Sequence, residues 1–129
     1  MTKTPTAVAL YDAVIAAAAT ARQAGLYEVA FHALSAALHC AEALGDLDRV
    51  RYVSQQATEI REWMSRNDPH HPLGTESARL RGQTDVFSTL IVHAQSVTTR
   101  LRAAKAVERA RTQSTVARQV VAPPPDTPG

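Results

Sequence analysis

The chain has 129 residues, of which 45% are apolar, 20% charged and 5% aromatic, with a formal net charge of +2. That length suits one domain and leaves no room for separate catalytic and regulatory units, and so small a net charge points to no particular partner. Cys40 is the sole cysteine, which excludes a disulfide-stapled scaffold. With so few aromatic rings, a dense core must come from close approach of alanine-rich backbones.

The stretch from Ala7 to Ala21 has the apolar character of a secretory signal, but Asp12 interrupts it and Lys3 is the only basic residue ahead of it. It reads as an amphipathic helix instead. No run reaches the roughly 18 apolar residues that cross a bilayer. The expectation is a soluble, cytoplasmic protein without membrane contact.

Proline punctuates the chain. Pro5, Pro69, Pro72, Pro123, Pro124, Pro125 and Pro128 lie at the ends or in one loop. The proline-free stretches between them are rich in alanine, leucine, arginine, glutamate and glutamine, which favour helix. An all-α fold of antiparallel helical hairpins follows, either a four-helix bundle or a repeat-like stack. The first helix is expected over about 6–24, with Leu10, Val14, Ala17 and Ala21 on its buried stripe. Gly25 ends it, in the position where a left-handed residue is wanted. The second spans about 26–44, with Tyr27, Ala30, Leu34, Leu38 and Ala41 at steps of three and four, and ends at Gly45. The third spans about 46–66, capped by Asp46 and buried along Leu47, Val50, Ala57, Ile60 and Met64. Breaks this short fold consecutive helices back on one another.

Asn67 to Gly74, with Asn-Asp-Pro and Pro-Leu-Gly, is a loop. A long fourth helix is expected over about 75–111, opened by Thr75 or Ser77, although Gly82 is awkward near its start and Thr84 or Asp85 is an alternative opening. Phe87, Leu90, Ala94, Val97, Leu101 and Ala104 recur on it like a short coiled-coil seam, which Glu108 interrupts. Residues 1–111 then form one domain, and 112–129, ending in a Pro-rich run, a mostly disordered tail. Charge divides unevenly along this map. Residues 1–74 hold 6 basic and 8 acidic side chains, whereas 75–129 hold 8 basic and 4 acidic, the excess lying at Arg100, Arg102, Lys105, Arg109, Arg111 and Arg118.

The run Gly25-Leu26-Tyr27-Glu28-Val29-Ala30, followed by Leu34, Ala37 and Leu38, resembles the second helix of a tetratricopeptide repeat. Ala30 and Leu34 stand where that family has Ala-x3-Phe. Upstream, Val14, Ala17, Ala18 and Ala21 fill the places of its Trp, Leu, Gly and Tyr, and Glu42 replaces its closing proline. The third helix begins like another first helix of such a unit, but no second Gly-x-Tyr-x2-Ala element follows. The resemblance covers about a third of the chain, and roughly three stacked repeats are needed for stability. It implies a scaffold that binds peptides or proteins in a groove, without chemistry of its own.

Histidines and carboxylates are candidates for chemistry because imidazole titrates near neutrality and binds metals. Glu28, His32, His39 and Glu42 share a broad stripe, but the order His39-x2-Glu42 reverses the Glu-x2-His pair of di-metal bundles. Asp68, His70 and His71 sit in the proline-bounded loop, where neighbouring side chains diverge and a turn explains them. Cys40 has no activating cation or helix N-terminus nearby in sequence. Ser54, Ser65, Ser77 and Ser88 lack an identifiable base, and no phosphate-binding glycine loop exists. No enzyme activity, cofactor or metal is expected.

The leading expectation is a non-enzymatic protein-protein interaction module that binds a protein partner or a second copy of itself. Tyr27, Phe31 and Tyr52 are its candidates for a groove or interface, and Leu90, Val97 and Leu101 for self-association. A nucleic-acid-associated protein using Arg100, Arg102, Lys105, Arg109 and Arg111 is the alternative. It is disfavoured because no aromatic residue is interleaved for base stacking. A metal- or ligand-binding helical bundle is the third reading.

Overall fold

The computed structural model describes residues 6–120. Five helices follow one another: α1 (Ala7–Gln23), α2 (Tyr27–Leu44), α3 (Leu47–Asn67), α4 (Thr75–Leu80) and α5 (Val86–Val120). Among the described residues there is no strand, and no helix is long and apolar enough to cross a membrane. The all-α architecture is therefore as the composition and punctuation indicated.

Local chemistry sets the breaks. Thr6 caps α1, its hydroxyl accepting from the Ala9 N–H at 3.1 Å, and Asp46 caps α3 by accepting from the N–H groups of Asp48 and Arg49. At the end of α2, Gly45 takes φ +64°. Its N–H donates to the Glu42 carbonyl, and that of Asp46 reaches back to Ala41, so carbonyls orphaned at the helix end are satisfied. The same pair of bonds closes α1, from Gly25 to Arg22 and from Leu26 to Ala21.

Two hairpins result, α1 with α2 and α3 with α5, and they lie side by side through α2 and α3, with α5 also touching α2. Corresponding helices run parallel. Tyr11 and Arg22 of α1 meet Arg49 and Glu59 of α3, while Phe31, His39 and Glu42 of α2 meet Phe87, His93 and Arg100 of α5. The shared core contains Leu34, Leu38, Val50, Val53, Ile60, Met64, Phe87 and Val97, with Ala30, Ala37, Ala41 and Ala57 fully buried among them.

Three expectations are corrected. On α1 the buried residues are Tyr11, Ala18 and Ala21, with Val14 and Ile15 packed beside them, whereas Leu10 and Ala17 face solvent. Alanine all round that helix makes its periodicity degenerate, and the one large ring decides which side goes in. The single helix over 75–111 is two helices. Gly82 adopts φ +68° and the Gln83 N–H donates to the Ala78 carbonyl, which closes α4. Asp85 then opens α5, accepting from the Ser88 N–H at 2.9 Å. Finally, residues 112–120 continue α5 instead of joining a disordered tail. Packing stops at Leu101, ahead of the seam's last residue, Ala104, but a stretch without glycine or proline carries the helix further. Residues 121–129 of the expected tail lie outside the described residues.

Candidate interaction surface

Helix α5 is about 52 Å long at 1.5 Å per residue, and only its first half has anything to lean on. Among the described side chains of the helix Leu101 is the last that is partly buried, and every one from Arg102 to Arg118 is exposed. The direction that faces the bundle through Phe87, Leu90, Ala94, Val97 and Leu101 continues as Ala104, Glu108, Thr112 and Thr115, all exposed and none a large apolar residue. Beside Leu101, which packs against the core, Arg100 pairs with Glu42 at 2.9 Å. Beyond it the helix projects as an arm.

The arm is strongly basic. Residues 102–118 carry Arg102, Lys105, Arg109, Arg111 and Arg118 against Glu108 alone, whereas residues 6–85 hold 7 basic and 10 acidic side chains, a net −3. Among the described residues, no arm cation lies within ion-pair distance of a carboxylate. Arg102, Lys105 and Arg109 recur at steps of three and four, so they share one face.

That face leads back into a cleft between α3 and α5 of about 330 Å³. Leu47, Val50 and Ala94 supply its apolar part, and Arg51, Ser54, Gln95, Thr98, Thr99 and Arg102 its polar part. No carboxylate lines it. The hydroxyls of Thr98 and Thr99 donate to the carbonyls of Ala94 and Gln95 one turn back. The remaining donors are the guanidiniums of Arg51 and Arg102, the Ser54 hydroxyl and the Gln95 amide. Arg51 has only a loose pairing with Asp48, at 3.8 Å and well exposed, which costs it little freedom to meet another anion.

The residues singled out from sequence fall in different places. Leu90 and Val97 are buried in the intramolecular core and Leu101 packs against it, leaving this seam no face to offer a second copy of the folded chain. Phe31 is half-buried edge-on to Phe87, with ring centres 6.0 Å apart. Tyr27 packs with Trp63 at 5.8 Å and against the edge of His71 at 5.3 Å. Trp63, which sequence reasoning passed over, is 40% exposed and Tyr52 42%; Tyr52 lines the groove between α1 and α3 beside Tyr11 and Arg49, whereas Trp63 lies against Tyr27 of α2. Arg102, Lys105, Arg109 and Arg111 are on the arm, and Arg100 is engaged with Glu42. Arg51 was also missed, because its partnership with Arg102 depends on the register between α3 and α5.

Groups with catalytic potential do not converge. His39 and His93 stack edge to face at 5.7 Å, His32 lies 4.0 Å from Glu28 on the surface, and Cys40 is partly buried. Among the described residues, no three His, Cys, Asp or Glu side chains are placed to hold a metal ion. Comparison of the chain with protein-family models, curated proteins and solved structures finds no match.

Proposed function

We propose that the chain is a non-catalytic interaction module in which two stacked helical hairpins hold out the distal half of α5 as a partner-binding arm. The supporting observation is the arm itself: residues 102–118 are helical yet exposed on every side. An isolated helix of this length is marginal in water. It gains most from a second surface that covers it. A repeat-like scaffold role is supported by the parallel running of corresponding helices in the two hairpins.

A partner other than a second copy is favoured on charge. Pairing two arms sets five cations and one anion against the same set, and like charges disfavour the wrong pair. A second reading, nucleic-acid binding, is favoured by Arg102, Lys105, Arg109, Arg111 and Arg118, which stand exposed and, among the described residues, without carboxylate partners. Photocrosslinkers placed at Val107 and Val116 on the arm, and at Val92 on the bundle part of α5, separate these outcomes in cells. Discrete protein adducts from the arm positions alone bear out the module. Nuclease-sensitive adducts support the second reading, and an arm giving no more adducts than Val92 sinks both.

A further inference from the structure

Building on the module reading, we infer that the cleft between α3 and α5 binds an acidic peptide segment carrying an aliphatic side chain, with the arm continuing the contact outward. The cleft joins two features that a purely electrostatic surface lacks. Its floor is apolar, made by Leu47, Val50 and Ala94, which gives a leucine-sized group somewhere to be desolvated. Its rim places one guanidinium on each wall, Arg51 on α3 and Arg102 on α5, so carboxylates flanking that group meet a cation on either side. Lys105 and Arg109 extend the cationic line one and two turns further on the same face of α5.

The lining excludes other occupants by its chemistry. A cationic segment would find no carboxylate within the cleft. A nucleic acid would find phosphate partners but no aromatic ring among the lining residues on which to stack a base, and the apolar floor would stay uncovered. An acidic protein segment uses floor and rim together.

The test uses the full chain and a short fluorescein-labelled peptide in which leucines alternate with pairs of glutamates, followed by anisotropy at low and moderate salt. Saturable binding is expected, weakened about tenfold or more by Arg51→Glu combined with Arg102→Glu. Ser54→Phe, which fills the cleft while leaving every charge in place, is expected to weaken it as much. Circular dichroism confirms that each variant is folded. An all-glutamate peptide of equal charge is expected to bind at least about tenfold less well. Equal binding of that peptide, full displacement by a single-stranded oligonucleotide, or an unaffected Ser54→Phe variant each overturns the inference. Failure here with protein crosslinks still found on the arm removes the cleft and leaves the module. Peptide binding intact with no arm crosslinks does the reverse.

Discussion

Arg100 Nη2 donates to Glu42 Oε1 at 2.9 Å, the ion pair with the bundle that lies furthest along α5 among the described residues. Both side chains are partly exposed, so the pair is a surface bridge worth about 0.2–1 kcal/mol. Glu42→Gln is expected to lower stability by no more than that in denaturant melts. Hydrogen exchange should nevertheless speed up around residues 101–104, where only the packing of Leu101 then holds the root of the arm. A loss well above 1 kcal/mol would show that the pair holds more than the helix end.

The arm should be dispensable for folding. A chain ending at Ala104 loses, among the described side chains, only exposed ones and is expected to keep its melting midpoint, while the helical signal falls. Thermal melts by circular dichroism check this. A drop of many degrees would mean that the arm packs against something in solution.

The alanines of the α2 interface cannot grow. Ala37 is fully buried, and two helices packed through small residues approach too closely to admit three further carbons. Ala37→Leu is expected to cost about 1–3 kcal/mol through displaced neighbours. Phe87→Ala, at the opposite extreme, leaves a hole where the largest fully buried side chain stood and is expected to cost about 3–5 kcal/mol. Urea titrations of both variants give the comparison.

Asp46 supplies a pH dependence with a definite sign. Its carboxylate is held below its ordinary range, first by the backbone N–H of Arg49, then by the Arg49 guanidinium and the Asp48 N–H, against an opposing effect of burial. The folded-state value lies below the unfolded one. The cap therefore contributes fully above the unfolded carboxylate range and is lost as pH falls through the folded value. Stability is expected to decline as pH falls below the ordinary carboxylate range, with a shallower decline in Asp46→Asn, which keeps an N-cap oxygen without the titration. Identical pH profiles for the two proteins would remove Asp46 from the account.

Asp85 is the one buried carboxylate among the described residues, and it joins elements that the sequence left in doubt. It receives the Ser88 N–H and hydroxyl together with the Thr75 hydroxyl at 3.3 Å, while Arg61 of α3 donates to the same Ser88 at 3.2 Å. Asp85→Ala removes a cap and strands several donors, and is expected to cost about 2 kcal/mol or more. Chemical denaturation measures it, and a change below about 0.5 kcal/mol would refute the role.

What could be read from the sequence follows from where each piece of information resides. Gly25, Gly45 and Asp46 act within a few residues of themselves, so the ends of α1 and α2 and the start of α3 were visible. The stripes of α2 and α3 were visible as well, because leucine and alanine on the one and valine, isoleucine and methionine on the other recur at helical spacing. On α1 the apolar residues surround the helix, and only packing against Arg49 and the α2 side selects Tyr11. The extent of α5 was misjudged because its seam reports burial, which ends well before the helix does. The cleft of Arg51 and Arg102 was out of reach, since those residues are 51 positions apart and meet only once α4 and its flanking loops have set the offset of α5 on α3. The aromatic contact of Tyr27 with Trp63 was hidden for the same reason.

An unbroken helix running from Asp85's cap out to the arm also acts as a ruler. Whatever docks near Arg118 is held about 25 Å from the root at Arg102, at an azimuth fixed by the helical pitch. One residue inserted after Ala104 would swing the distal docking positions by about 100°, and four inserted residues would bring them nearly back into phase while lengthening the reach by about 6 Å.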